Sequence, residues 1–381
     1  MQAKERTMIR DDDEDKYDVE RYDSAIGWGM KEEEADAKRR AKALAFYERR
    51  EFSVFIVDRG DEIYERAEEL PSIKGLFGMF WQSRQIAVLF GEPGLGKSVL
   101  AVQIGMSIAE ETSIEPFKSC VPSGAVLYLD FELTHRQFAD RYTDTSGDVP
   151  IQYSLHPNFC RAYDHWQGQP VPKPFDTDPD YLYHSIRNSI NETEASALII
   201  DNISFMGLRQ FSAQRAFALF QKLRLLRDEL GTSILLLAHT PKRSEGLPLT
   251  FKDVQGSTML SGIADSVFAI GRGRGRNIRY LKHIKARSTD LVHDENNVVV
   301  YSLEKRPIEP DVKIPPLAFH HTGFSTEAEQ LGQRITDKYV LIDRVKQLHE
   351  SGMSLRDIGR RLHVSHMKVD RLLKGENSDE V

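Results

Sequence analysis

The stretch LFGEPGLGKSVLAVQ, Leu89–Gln103, constrains this chain more than any other. Three glycines fall within six residues, between an apolar strand-like run and an amphipathic helical pattern. Glycine weakens regular structure, so a cluster at a strand-to-helix junction implies a backbone shaped around a ligand. Gly91, Glu92, Pro93, Gly94, Leu95, Gly96, Lys97 and Ser98 fit G-x-x-x-x-G-K-[ST], with Val99 next. That spacing lets backbone N–H groups surround a phosphate chain, and the following helix turns its positive N-terminal end to the same anion. Lys97 then reaches the β- and γ-phosphates, and Ser98 offers its hydroxyl to Mg²⁺. The ligands implied are ATP and Mg²⁺.

Hydrolysis needs further polar groups at strand ends. The apolar run ALII ends in Asp201, a second carboxylate for the metal. The residue after it, Asn202, cannot take a proton from water. VLYLDF is followed by Glu132, which could orient and deprotonate an attacking water; Asp130 shares its strand face and competes for the role. SILLLA leads to His239, placed to contact a γ-phosphate or to be an ordinary surface histidine.

The organisation is that of an α/β protein. Residues 1–70 are charge-rich, with an expected helix over Glu32–Arg50 and disorder near the acidic run Asp11–Asp15. From 71 to 306, QIAVLF, AVLYLDF, ALIIDNI, SILLLAH, DSVFAI, NIRYLKHIKA and NVVVYSLE read as strands, separated in part by helical patterns. Residues 143–180 read as a loop-rich surface insertion, and the proline-rich 307–326 as a stiff linker. A helical unit follows over 327–375, then an acidic tail, 376–381.

The ordered set of motifs resembles the RecA-type ATPase core, in the texture of DnaB-like and plasmid RepA-type helicases. VLYLDFELTHRQFADR resembles the segment bearing the catalytic glutamate, which gives Glu132 that role. LIIDNISFMG resembles the metal-binding segment, with Asp201 as the match. ILLLAHT resembles the third motif, where His239 is closer to the RepA type. DVQGSTMLSGIADSVFAIGR resembles the segment around a central-channel loop, matching at Gly256, Ser257 and Asp265. HIKARS resembles a Lys-x-Arg pair that enters a neighbouring subunit's ATP site, implying trans-acting Lys285 and Arg287 and a ring, expected to be a hexamer. The alternative for this basic hairpin is contact with nucleic acid. The resemblance implies a RecA-like P-loop core with a central, mostly parallel sheet. The helicase N-terminal domain that binds primase is not recognisable in residues 1–70.

The chain's net charge is −7, yet residues 331–375 hold ten Lys/Arg against five Asp/Glu. GMSLRDIGRRLHVSHMKVDRLLK has the form of a helix-turn-helix. Leu355, Ile358 and Leu362 face a small core, Ser354 and Ser365 cap the helices, and Met367, Leu372 and Leu373 pack. Arg356, Arg360, Arg361, Ser365, His366, Lys368 and Arg371 are the candidate DNA contacts, with Lys374 a further phosphate contact. Lys242, Arg243 and Lys252, after the His239 strand, are candidates for DNA in a channel. Two cysteines, Cys120 and Cys160, make no disulfide framework, and no apolar run is long enough to span a bilayer, so a cytoplasmic location is expected. The reading is a DNA-dependent ATPase, either a helicase or translocase of plasmid, phage or mobile-element replication or an ATP-switched regulator of recombination, transposition or transcription. Self-association and replication or recombination proteins are the expected partners.

Overall fold

The structure is a computed structural model that describes residues 59–68, 71–118, 124–163, 170–203, 213–241, 246–254, 260, 262–309, 313–335 and 337–374. The chain divides into two units, Met1–Ser72 and Ile73–Val381. In the first, the described helix is α1 (Glu62–Glu68). The expected helix over Glu32–Arg50 and the acidic run lie outside the described residues.

The second unit runs β1 (Gly75–Phe77), β2 (Trp81–Gln82), β3 (Ile86–Gly91), α2 (Lys97–Glu110), β4 (Ala125–Asp130), α3 (His135–Arg141), β5 (Thr143–Asp144), β6 (Ile151–Gln152), β7 (Phe159–Tyr163), α4 (Asp178–Thr193), β8 (Ala195–Asp201), α5 (Ala213–Leu230) and β9 (Ser233–His239). It continues with β10 (Ser266–Arg272), β11 (Ile278–Ala286), β12 (Val298–Lys305), β13 (Leu317–Ser325), α6 (Glu327–Gln330), α7 (Lys338–Glu350), α8 (Leu355–Leu362) and α9 (His366–Lys374). Among the described residues no helix is long and apolar enough to cross a membrane.

One sheet holds nine of these strands in the order β13-β12-β11-β10-β3-β9-β8-β4-β7. Pairings from β10 to β7 are parallel, and β10, β11, β12 and β13 pair antiparallel in succession. The parallel strands are apolar on both faces, as a sheet covered on two sides requires. On one face Ala87, Leu89, Tyr128, Ile199 and Leu237 pack with α2, and on the other Val88, Phe90, Leu198 and Leu236 pack with α4 and α5. α2, expected to be amphipathic, is instead apolar on nearly all sides and buried from Val99 to Ala109, with Phe319 of β13 in the same core.

Two boundaries change. The span 307–326 is not a linker throughout: residues 317–325 form edge strand β13, paired along its length with β12. Its outer edge is closed by Gln103, whose Nε2 donates to the Phe319 carbonyl (3.0 Å) and whose Oε1 accepts from the Phe319 N–H (2.8 Å). The span 143–180 is not only a surface insertion, because β7 extends the sheet at the opposite edge and α4 begins within the span. Both edge strands are half-exposed, so their sequences lack the continuous apolar run of a central strand.

α7, α8 and α9 form a three-helix unit around Leu341, Val345, Leu348, Ile358, Leu362, Val369 and Leu372. A three-residue turn joins α8 to α9, and a Cβ at Gly359 would lie 2.8 Å from the Val364 carbonyl oxygen, so only glycine fits that approach. Ser354 and Ser365 each accept from the backbone N–H three residues on. Met367, expected to pack, is exposed; Val369 takes the inward position.

Candidate functional site

The phosphate loop joins β3 to α2 at the carboxyl end of the parallel strands, where open α/β sheets bind ligands. Gly94 and Gly96 lie at φ 76° and 97°, and a Cβ at Gly96 would come within 2.9 Å of Leu303. Lys97, on the first turn of α2, is buried and donates from Nζ to the carbonyls of Gly91 (2.9 Å) and Glu92 (3.1 Å). Burial lowers the Lys97 pKa, against the attraction of Asp201, Glu132 and Glu92.

Register brings the remaining groups alongside. Gly91 pairs with His239, and Asp130 pairs with Asp201. The Asp201 carboxylate accepts from the Tyr128 hydroxyl (2.5 Å) and from Ser98. Burial pushes its pKa up to about 6, helped by the charges of Glu132 and Asp130 and opposed by those two hydrogen bonds. Deprotonated, Asp201 is a buried anion beside a hydroxyl, which fits a divalent cation. Among the described residues no cluster of three or more His, Cys, Asp or Glu side chains could hold a metal alone. That donor set suits Mg²⁺, which takes one or two protein ligands and completes its shell with phosphate oxygens and water.

Glu132 lies just past β4. Its Oε1 accepts from Asn202 Nδ2 and stands 3.5 Å from His239 Nε2. Asn202 Nδ2 is also 2.8 Å from His239 Nε2, so one amide bridges the carboxylate and the imidazole. The reverse amide orientation would set a carbonyl oxygen against the carboxylate. The contact with His239 holds the Glu132 pKa below the usual carboxylate value, opposed by burial and helped by Asn202 and Lys97. Glu132 is therefore an ionised acceptor facing the loop. Asp130 is occupied elsewhere: Oδ1 accepts from the N–H groups of Glu132 (3.0 Å) and Leu133 (2.9 Å), and Oδ2 accepts from Arg161 (2.9 Å). Of the two acids, Glu132 stands beside Asn202 and His239, whereas Asp130 is engaged by Arg161 and the following turn. Asn202 was missed as a participant; its place directly after Asp201 was the available signal.

Lys285 and Arg287 lie at the opposite end of the sheet. Lys285 Nζ donates to the Ala264 carbonyl (2.9 Å), and Arg287 contacts the Gly262 carbonyl (3.0 Å) and Asp265 (3.5 Å). Asp265 accepts from the Ile86 N–H (2.9 Å), at the start of β3. Five residues of strand, about 17 Å, separate that point from Gly91. Neither cation reaches its own chain's phosphate loop.

Of the candidate DNA contacts, Lys242 and Arg243 lie outside the described residues, as do Gly256 and Ser257; Lys252 is exposed on a short 3-10 helix, Phe251–Asp253. Arg356, His366 and Arg371 are exposed, and Lys368 is half-buried. Arg360 pairs with Asp357 (2.5 Å) and Lys374 with Asp370 (2.6 Å). Arg361 does not simply project to solvent: its Nε meets Glu329 at 2.9 Å. Glu329 is buried and also holds Arg344 (2.6 Å), so α6 ties α7 and α8 to the end of β13. Its neighbour Glu327 is buried against Lys282 (2.7 Å), Tyr280 (2.9 Å) and the Leu249 N–H (2.7 Å).

A model of the family described as "AAA domain" matches residues 48–245, which include the phosphate loop, Glu132, Asp201 and His239. No curated protein matches. Among solved structures, the chain is similar to a KaiC-like protein of the hyperthermophilic archaeon Pyrococcus horikoshii, with 17% identity and a TM-score of 0.42, over 64% of this chain and 91% of that one. The family match spans just over half of the 381 residues, and the chain belongs to the AAA family of P-loop ATPase domains.

Proposed function

We propose that the chain is an oligomeric DNA-dependent ATPase, a helicase or translocase serving plasmid, phage or mobile-element replication. The observation that carries the ATPase part is the convergence of Lys97, Ser98, Asp201, Glu132 and His239 at four adjoining strand ends. In this reading Lys97 and the loop N–H groups hold the β- and γ-phosphates. Ser98 and Asp201 hold Mg²⁺, which would neutralise charge between the phosphates. Glu132 orients and deprotonates the attacking water, and His239 with Asn202 senses the γ-phosphate.

Lys285 and Arg287 stabilise transferring charge in a neighbour's site. Their distance along β3 from the chain's own loop supports a trans role, and a guanidinium supplied that way makes hydrolysis depend on assembly. A hexameric ring is the expected state. The helix-turn-helix unit binds duplex DNA through α9, with His366, Lys368 and Arg371 as contacts, and Arg356 of α8 is a further contact.

A second reading, an ATP-switched regulator of recombination, transposition or transcription, draws on Glu329. A DNA-binding unit pinned to the sheet by a buried carboxylate suits a switch as well as a motor.

The test is ATP turnover with and without single- and double-stranded DNA, beside a fork-unwinding assay. Stimulation by single strands with unwinding supports the motor. Stimulation by duplex without unwinding supports the switch, and turnover indifferent to DNA overturns both.

A further inference from the structure

Glu132 sits in a short segment, residues 131–134, that belongs to neither strand nor helix. Its carboxylate is partly exposed, so packing alone does not fix its aim. What fixes the backbone is Arg161, brought from edge strand β7. Its Nε and Nη2 meet Asp130 Oδ2 at 2.9 and 2.8 Å. Nη2 also donates to the Leu133 carbonyl (2.5 Å), and Nη1 lies 3.1 Å from His135 Nδ1. The guanidinium carbon stands 4.6 Å from the centre of the Phe138 ring. Asp130, so held, accepts the N–H groups of Glu132 and Leu133.

All three guanidinium nitrogens are thus spent on one turn. The side chains are 9% and 1% exposed for Arg161 and Asp130, so the pair is desolvated and its geometry is fixed. A brace for the sheet edge alone would not need contacts on both sides of Glu132. We propose that Arg161 is a positioning residue for hydrolysis, acting through Asp130 and the Leu133 carbonyl to aim Glu132 at the attacking water. The inference rests on the reading of Glu132 as the base. Among the described residues the Glu132 carboxylate meets Asn202 and His239, whereas Arg161 meets Asp130 and the Leu133 carbonyl. Its action is geometric, and substituting it leaves the acid limb of the pH profile in place.

The experiment compares full-length wild type, Arg161→Gln, Arg161→Lys and Glu132→Gln. The readouts are kcat and KM for ATP, the Kd of a fluorescent ATP analogue with Mg²⁺, the kcat pH profile and the thermal midpoint. For Arg161→Gln, kcat falls about 10²-fold well below its midpoint, as a misaimed catalytic group requires. Kd stays within about twofold and the acid limb does not move. Arg161→Lys keeps the charge against Asp130 but loses the fork, so kcat falls about tenfold. If Arg161→Gln does not fold, Arg161→Lys decides.

Wild-type kcat in a folded Arg161 variant, a Kd weakened in step with kcat, or a displaced acid limb would overturn the proposal. Glu132→Gln separates the two claims. If it turns over ATP like wild type, the reading of Glu132 fails; if it binds without turnover and the Arg161 variants keep wild-type kcat, only the positioning role fails.

Discussion

The carboxyl end of the parallel sheet and the three-helix unit are both rich in polar groups, and they spend them differently. In the three-helix unit and the adjoining α6 many charges answer one another: Glu329 holds Arg344 and Arg361, Asp357 holds Arg360, and Asp370 holds Lys374. At the sheet end the groups are brought together without full compensation. The Asp201 pKa is raised by burial, Lys97 is desolvated onto carbonyls, and His239 Nδ1 is buried without a hydrogen-bond partner among the described residues. Satisfied polar groups hold a structure together. Convergent, under-compensated ones are held in readiness for a charged ligand that the fold does not itself supply.

The comparison can be broken first at Lys97. Lys97→Ala removes the cation aimed at the phosphates, and nucleotide affinity falls at least about 10²-fold by calorimetry, since a charge-assisted contact of this kind is among the strongest. The free protein's thermal midpoint does not fall in parallel.

Substitution at Glu329 gives the opposite pattern. Burial raises its pKa, but Arg344 and Arg361 more than offset this and hold it below the usual glutamate range. A depressed pKa contributes stability above about pH 4.5, lost as pH falls through the folded value. Glu329→Gln at neutral pH strips the buried Arg344 guanidinium, and the partly exposed Arg361, of their anion and costs about 3 kcal/mol. Denaturant unfolding monitored on the C-terminal helices shows the loss, with nucleotide affinity unchanged.

Asp201 reverses that sign. Its folded pKa of about 6 lies above the ordinary 3.8, so its contribution is present below pH 3.8 and lost as pH rises through 6. Nucleotide-free Asp201→Asn therefore melts a few degrees above wild type at pH 7.5, and the gap closes as pH falls towards 4. Melting curves across that window check it.

The smallest effects come from single arginines of the helical unit. Arg371→Ala weakens DNA binding severalfold and lowers the salt slope by about one, whereas Arg361→Ala loosens the unit and leaves the slope unchanged. Salt titration of binding separates the two.

Much of the α/β core was legible because central strands are apolar on both faces: the seven strand runs read from the sequence correspond to β3, β4, β8, β9, β10, β11 and β12. The edges were not. Phe-Cys-Arg-Ala-Tyr in β7 and Leu-Ala-Phe-His-His in β13 carry polar residues where a central strand would be apolar. At the site, Lys97, Ser98 and Asp201 could be named because their spacing is local to a motif. The roles of Asn202 and Arg161 are spatial. Arg161 meets Asp130 across 31 positions, and Arg361 meets Glu329 across 32. No local pattern distinguishes an arginine aimed at DNA from one aimed at a buried glutamate.

The most direct measurement is single-turnover hydrolysis of ATP by Glu132→Gln beside wild type, with Mg²⁺-ATP binding measured on the same preparations. The account predicts unchanged binding and a chemical step slowed about 10³-fold, the scale of a lost general base. Hydrolysis at the wild-type rate would contradict it and leave the cluster of Glu132, Asn202 and His239 a structural feature of the strand ends.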